Sequence, residues 1–330
     1  MSLVDALQAR SHQSTIRFLS DFGFRSTLDP VALRKLTRSL REWSPDLLHT
    51  HLWAPGIAGR AAATWLGIPV VSTWHAPPVH WNRLGPIRTR ARFLAERLTL
   101  RGVALTATSQ ATAKAWQSRI GDAPSRVSVI PNGIQLPAST PPLGQKPVVV
   151  HVGNLVPAKD HFTLIEAAAI VHRRRPDVRW ICAGDGPLRS QLESFVRRRG
   201  LEGVVEFVGL CSDVFSLLAR ARVSVLTSRS EGCPLALLEA MAVARPVVAT
   251  GAPGVTEIIE SGVNGVLATV GDPREVARAV EFLLRDEEQA RRLGEAGQQT
   301  VRNRFALEIV TDRYEALYRE TLKERRNSGR

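Results

Sequence analysis

The sequence predicts an α/β protein in which parallel strands are connected by crossover helices. Short β-branched runs alternate with longer amphipathic stretches from about Asp46 to the end of the chain, and this rhythm is typical of that fold class. The chain has 330 residues, of which 44% are hydrophobic, and this length suits two packed cores. Two α/β domains are therefore expected.

The first half of the chain contains one helix candidate and four strand candidates. The helix is predicted over 30–43, and the strands over 46–52, 69–75, 104–109 and 126–130. Gly23 is the single glycine of residues 1–29, whereas an open parallel sheet normally has a Gly-rich turn after its first strand. The N-terminal domain is therefore expected to be truncated.

The second half contains six strand candidates, enough for a complete doubly wound sheet. They lie at 148–153, 179–184, 205–209, 222–228, 245–250 and 265–268. Asp272, Pro273 and Glu275 then predict a helix start, because a capping residue, a first-turn proline and an acidic residue follow one another. Helices are expected from there to about Arg325.

A proline-rich stretch separates the two halves. Residues 134–147 contain prolines at 137, 141, 142 and 147, a composition that continues neither a helix nor a sheet. We therefore predict an N-terminal domain over 1–140 and a C-terminal domain over 141–305, followed by a helix and basic tail over 306–330, with the tail itself at 323–330.

The charge of the chain is strongly positive. Its formal net charge is +13, almost wholly from arginine. One interpretation is attraction to an anionic partner, either ligand phosphates or the negative face of a membrane. The other is a set of solvated, arginine-rich helix faces. Nucleic acid is not expected as a partner, because the basic residues are spread over many helices and no aromatic-basic RNA motif is present.

Compartment and redox state follow from two further features. No apolar run reaches the ~18 residues that a membrane span requires, and the N-terminus does not resemble a signal peptide. The three cysteines, Cys182, Cys211 and Cys233, are odd in number and lack metal-ligand spacing, which favours reduced thiols. A cytoplasmic protein without a structural disulfide is expected.

Glycine-rich and acidic motifs follow the strands of the second half. The sequence reads VGNLVPAKD at 152–160, AGDGP at 183–187 and SRSEGCPLALLEAM at 228–241, where Glu231 and Glu239 are eight positions apart. IPNGI precedes the proline-rich stretch at 130–134, and GVNG stands at 262–265. Since ligands of open parallel sheets bind outside the carboxyl ends of the strands, these loops are candidates for a ligand site.

In order and spacing, these motifs closely resemble those of glycosyltransferase family 4, over roughly Asp46 to Leu267. The resemblance implies the GT-B fold, with two Rossmann-like domains facing a cleft, and a retaining, metal-independent transfer of a sugar from a nucleotide diphosphate donor. It implies that donor binding involves Gly153, Asn154, Lys159, Gly184, Gly186, Arg229, Glu231, Gly232, Pro234, Leu235, Glu239 and Gly254.

The resemblance also implies a role for each acidic residue. The helix after Pro234 would direct its amide groups and positive dipole end at the diphosphate. Glu239, one turn into that helix, would accept both hydroxyl protons of the ribose, and Glu231 would reach hydroxyls of the transferred sugar. The alternative for each glutamate is an ordinary carboxylate near the start of a helix.

Three residues would act as catalytic groups, namely Lys159, Glu231 and His75. Lys159 stands where the family has a cation that neutralises the leaving diphosphate. The arginine that usually accompanies this cation is Asn154 here. More of the positive charge that stabilises the diphosphate would therefore come from Lys159, the helix end and Arg229. The alternative for Lys159 is a solvated loop lysine.

His75 resembles the family's histidine at the donor sugar. Two other histidines, His49 and His51, alternate on one predicted strand and so face the same side, but no third ligand and no Asp-x-Asp motif accompany them. A metal is therefore not expected. The Gly254 loop would offer backbone amides to the phosphates, or it is a plain strand-to-helix turn.

The predicted function is transfer of a hexose from a UDP- or GDP-linked donor to a polysaccharide or lipid-linked acceptor, in the cytoplasm or at the inner face of the cell membrane. The main alternative is a catalytically inactive nucleotide-sugar-binding paralogue, motivated by the missing N-terminal strand, its Gly-rich loop, and Asn154. An epimerase is disfavoured by the spacing of the two glutamates, and a phosphorylase by the lack of a lysine-anchored pyridoxal site.

Overall fold

The computed structural model describes residues 3–10, 12–16, 18–22, 29–78, 85–121 and 127–327. The chain divides into two compact units, which we call the first unit, Met1–Asn132 with Glu308–Arg330, and the second unit, Gly133–Leu307. Within the described residues, no helix is long and apolar enough to cross a membrane.

The first unit contains a four-stranded parallel sheet. Its strands are β1 (Leu48–His51), β2 (Val70–Trp74), β3 (Val103–Ala107) and β4 (Val127–Val129), in the spatial order β1-β2-β3-β4. Its helices up to residue 132 are α1 (Leu3–Gln8), α2 (Pro30–Trp43), α3 (Trp53–Leu66), α4 (Pro86–Thr99) and α5 (Gln110–Ile120). The four predicted strands and the predicted helix over 30–43 are confirmed.

The second unit contains a six-stranded parallel sheet. Its strands are β5 (Val148–Val152), β6 (Arg179–Ala183), β7 (Val205–Gly209), β8 (Val223–Leu226), β9 (Val247–Thr250) and β10 (Val266–Ala268). Their spatial order is β10-β9-β8-β5-β6-β7. The order reverses at β5, which lies between β8 and β6, so the predicted doubly wound sheet is confirmed, and its switch point is where a ligand would bind.

Helices cover both faces of this second sheet. They are α6 (His161–His172), α7 (Arg189–Arg198), α8 (Val214–Ala219), α9 (Leu235–Ala242), α10 (Pro273–Arg285) and α11 (Glu287–Arg304). Val149 and Val150 are both fully buried but belong to two different core clusters, because successive strand residues point to opposite faces. The strands therefore read as continuous apolar runs, as in other parallel sheets with two covered faces.

The start of α10 follows its sequence signature. The Asp272 side chain accepts hydrogen bonds from the amides of Arg274 and Glu275, with Pro273 in the first turn. A last helix, α12 (Leu307–Asn327), ends the described chain. The basic tail predicted over 323–330 is therefore helical as far as Asn327. Residues 328–330 and Gly23 lie outside the described residues.

The division between the units differs from the predicted boundary near residue 140. The backbone amide of Ile134 donates to Phe305, and that of Leu307 donates to Ile134, each at 2.9 Å. The buried Arg245 guanidinium donates to the carbonyls of Pro141 and Pro142. The proline-rich stretch therefore packs on the second unit instead of linking the two, and α12, predicted as a separate segment, belongs to the first unit from Glu308.

Candidate functional site

Two glycine-rich loops meet at the carboxyl ends of β5 and β6. The amide of Gly153 donates to Ala183 and that of Leu155 to Asp185, both at 2.9 Å. A Cβ at Gly184 would lie 2.1 Å from the carbonyl oxygen of Gly153. Only glycine allows so close an approach of two backbones. The loops quoted as separate motifs therefore form one continuous backbone surface beside the switch point.

A second pair of loops meets at the ends of β8 and β9. The Glu231 amide donates to the carbonyl of Pro253 at 3.1 Å. Gly254 has a φ of +84°, and a Cβ there would lie 2.2 Å from the carbonyl oxygen of Gly232. The Gly254 loop thus contacts the loop that leads into α9.

Lys159 and Glu231 are brought together directly. The ammonium of Lys159, which ends a short 3-10 helix at Pro157–Lys159, lies 2.5 Å from Oε1 of Glu231. Ser228 donates its hydroxyl to the same oxygen at 2.6 Å. Both side chains of the pair are largely buried, with 20% and 12% exposure. The two residues predicted to serve different parts of a donor are therefore ion-paired with each other.

A second ion pair lies next to the first. Arg229 contacts Asp160 at 2.9 Å between Nη2 and Oδ2, and its backbone amide donates to Ala158 at 2.8 Å. The Asp160 carboxylate also caps α6 through Thr163. The Arg229 side chain remains 61% exposed, so its guanidinium has access to solvent next to Asp160. Asn154 is also exposed.

The amino end of α9 completes this cluster. Pro234 precedes the helix, and no side chain caps it, so the amides of its first turn lack a capping side chain. Leu235 is 47% exposed there. Glu239 lies one turn further along, half-buried, and burial raises the pKa of its carboxyl group. The helix start thus offers amide donors and positive dipole character beside two carboxylates.

His75 lies in the first unit, just after β2. Its Nε2 is 2.8 Å from Nδ1 of His51. His49, on the same strand as His51, bonds instead with the hydroxyls of Tyr318 and Thr73. Within the described residues, no three histidine, cysteine, aspartate or glutamate side chains are placed to hold a metal ion.

Several residues of these sites were not assigned from the sequence. Ser228 and Asp160 directly adjoin assigned positions within the quoted motifs, and that adjacency was the available signal. His151 is fully buried beneath Gly153, its Nδ1 is 2.9 Å from the Val225 carbonyl, and burial lowers its pKa to about 4. Nothing in the valine-rich sequence of β5 indicates this environment for His151, and nothing local identifies His51 as the partner of His75. Both were found only in the structure.

The two parallel α/β units and the loops at the switch point define the GT-B class of protein. Residues 135–300 match the family model of glycosyl transferases group 1, and residues 2–136 match that of glycosyltransferase family 4. The chain belongs to the glycosyl transferases group 1 family, and both the family prediction and the predicted fold class are confirmed.

Similar proteins agree with this assignment. The chain is 36% identical to an alpha-D-kanosaminyltransferase of Streptomyces kanamyceticus over 54% of its own length and 47% of that protein. It is 36% identical to the lipopolysaccharide core biosynthesis glycosyltransferase LpsE of Rhizobium meliloti over 51% and 48%. It thus spans about half the length of each. The crystal structure of Anabaena Alr3699/HepE in complex with UDP-glucose has a TM-score of 0.78 and 25% identity, covering 97% of this chain and 88% of that one.

Gly254 and Gly262 allow the loop contact to be tested. Both have positive φ, +84° and +82°, but a Cβ at Gly262 would meet nothing within 4 Å. We expect Gly262→Ala to lower the free energy of unfolding by about 1–2 kcal/mol through backbone strain alone. Gly254→Ala should lose roughly 1–3 kcal/mol more, because its methyl group overlaps the Gly232 carbonyl. Urea unfolding of both variants measures the difference; equal losses would show that the two loops do not touch.

Proposed function

We propose that this protein is a retaining glycosyltransferase that moves a hexose from a nucleotide diphosphate sugar to a polysaccharide or lipid-linked acceptor. The observation that carries the proposal is the cluster at the switch point of the second unit, where Lys159, Glu231 and the start of α9 adjoin the paired glycine loops. Membership of the group 1 family and the UDP-glucose complex of the Anabaena protein support it.

The diphosphate would bind at the amino end of α9. Uncapped helix amides and the dipole stabilise anions there, and the paired glycine loops lie at the same edge of the sheet. Glu239, on the same helix, would accept hydrogen bonds from the two ribose hydroxyls. This requires its ionised form, so the raised pKa of Glu239 means that nucleotide affinity should begin to fall, on acidification, at a higher pH than an ordinary glutamate would give.

Transfer would depend on the Lys159–Glu231 pair. On donor binding, the ammonium of Lys159 exchanges its carboxylate partner for the diphosphate, and Glu231 is released to accept hydrogen bonds from sugar hydroxyls. Arg229, an exposed residue paired with Asp160, would supply the second positive charge that Asn154 lacks. Charge that develops on the leaving diphosphate is then stabilised by groups already in place.

In this reaction the bond between the anomeric carbon and the diphosphate oxygen breaks, and its electron pair leaves with the diphosphate. The acceptor oxygen bonds to the anomeric carbon from the same face, and its proton passes to the departing diphosphate. The protein contributes position and charge stabilisation, with His75 at the donor sugar. No metal is required in this scheme.

Nucleotide binding is the first test. UDP, GDP and ADP at millimolar concentration are screened for an increase in melting temperature, which scales with ligand concentration over Kd. One of these nucleotides should stabilise the protein. Glu239→Gln should weaken the binding of that nucleotide by about 10–100-fold, because hydrogen bonds to a charged group contribute that much to affinity. Glu288→Gln, an exposed glutamate in the first turn of α11, is the control. No shift with any nucleotide would rule out the donor site.

Turnover is the second test, measured as release of the nucleotide diphosphate from the donor that the screen identifies. Lys159→Ala should lower kcat by about 100–1000-fold, because a charge-stabilising donor is removed, whereas the exposed Lys146→Ala should not. EDTA should leave the rate unchanged, and the product should keep the donor's anomeric configuration by NMR. Nucleotide binding without turnover in the unaltered protein would favour the inactive binding paralogue; inversion would refute the retaining mechanism.

We further propose that the first unit contacts an anionic membrane through α4, where a lipid-linked acceptor would be found. Ile87, Leu94 and Leu98 are 82%, 56% and 66% exposed, and their spacing places them on one face of the helix. Exposed arginines accompany this apolar stripe at positions 88, 90 and 97. An apolar face with a cationic border is typical of helices that lie in a bilayer interface.

Vesicle sedimentation tests this surface. The protein should bind phosphatidylcholine vesicles that contain phosphatidylglycerol, less so at high salt. Replacing both Leu94 and Leu98 by asparagine should reduce the partition coefficient by at least about tenfold, since each buried leucine contributes about 1.5–3 kcal/mol. Leu210→Asn, which removes an 81% exposed leucine of the second unit, is the matched control. Binding that is absent, or equal for both variants, would contradict the proposal.

A further inference from the structure

Three histidine rings lie in a row at the carboxyl edge of the first sheet. β1 pairs with β2 in parallel, with His51 opposite Thr73, so His75 follows just beyond the register position of His51. The ring centroids of His49 and His51 are 4.1 Å apart, and those of His51 and His75 are 5.1 Å apart. Only the His51–His75 contact is a hydrogen bond, of 2.8 Å between Nδ1 and Nε2.

Burial lowers the pKa of each of these imidazoles, that of His51 to about 4, with the neighbouring rings adding to the effect at His49 and His51. The rings are therefore neutral near pH 7, and each has one N–H group and one bare nitrogen. A bond between two neutral rings joins the N–H of one to the bare nitrogen of the other. The Nε2 atom of His75 is thus engaged, and Nδ1 is the ring nitrogen left for a ligand.

The His51 ring also packs against the ring of His49. The His49 ring, which stacks against it, bonds through Nδ1 to the Tyr318 hydroxyl at 2.6 Å and through Nε2 to Thr73 at 2.7 Å. Thr73 in turn is 2.5 Å from the hydroxyl of Thr106 on the next strand. A row of hydrogen-bonded side chains on three adjacent strands therefore restricts where the His51 ring can lie.

We propose that His51 is a positioning residue for His75. It holds the ring rotation of His75 and couples its tautomer to its own, so that Nδ1 of His75 is presented to the donor sugar in one orientation. The inference rests on the proposed function, in which His75 serves the donor, and it assigns to His51 a task distinct from substrate contact. A ring that could rotate freely would present either nitrogen, or its carbon edge, and would be in the productive orientation for only part of the time.

Asparagine and glutamine at position 51 form a matched pair of probes. The amide group of asparagine is as many bonds from Cα as Nδ1 of histidine, whereas that of glutamine corresponds to Nε2, on the far side of the ring. His51→Asn should retain kcat within about threefold, and His51→Gln should lower it by about 10–100-fold, as supporting partners of functional histidines typically do. The affinity for UDP should stay within about threefold of the wild-type value in both variants, because neither substitution affects binding that is equal in the ground state and the transition state.

Two readouts separate this inference from the proposed function. UDP release from UDP-glucose reports kcat, and the ring-nitrogen NMR signals of the 15N-histidine-labelled protein report the His51–His75 bond without any substrate. The His75 Nε2 signal, assigned by its loss in His75→Asn, should move in His51→Gln and stay near the wild-type position in His51→Asn. His12→Asn, which removes an exposed histidine that pairs with Glu315 outside this row, should leave both readouts unchanged.

An unaltered His75 Nε2 signal in His51→Gln would show that the bond is absent in solution and would overturn the inference. Equal loss of kcat in the asparagine and glutamine variants would also overturn it, because the retained hydrogen bond would then have no effect. If the wild-type protein releases no UDP while the NMR signals respond as expected, the positioning contact stands, and the proposed donor chemistry fails for UDP-glucose.

Discussion

The close approach of backbones at the switch point of the second sheet is the constraint on which the candidate donor site depends. Gly184 lies against Gly153, and Gly254 lies against Gly232, at separations that leave no room for a Cβ. Because four strands end at the same edge, their loops must share a small area, and glycine is what permits it. These contacts hold the loops beside the amino end of α9, whose amides can bind phosphate without carrying a charge of their own.

The same crowding determines how the charged groups are arranged. Lys159 and Glu231 are mostly shielded from water, and an unpaired charge there would lose hydration that nothing replaces. Lys159 and Glu231 therefore contact each other as an ion pair, and the buried Asp160 is paired with Arg229. A diphosphate can enter such a cluster by exchange of partners, since its own negative charges replace the carboxylate that Lys159 gives up. The site would then bind an anion without first having to bury a bare ammonium group.

The sequence predicted the strands well because parallel strands buried on both faces read as short β-branched runs, and all ten were located. It predicted the domain boundary less well, since prolines suggest a linker but do not show that Arg245 hydrogen-bonds to the carbonyls of Pro141 and Pro142. Alternation placed His49 and His51 on one side of a strand, correctly. Their partners depend on the register between β1 and β2 and on a helix more than 200 positions away along the chain, which no local pattern specifies.

The position of His75 follows from the way β2 is fixed on both of its faces. On one face, the Trp74 indole donates to Glu96 at 2.8 Å, and Glu96 is paired with Arg60, which also donates to Ser72. On the other, Thr73 contacts Thr106 and His49. A buried ion pair such as Arg60–Glu96 adds little net stability compared with apolar packing, but each of its hydrogen bonds has a direction. The polar network therefore holds Ser72, Thr73 and Trp74 on both faces of the strand that leads to His75.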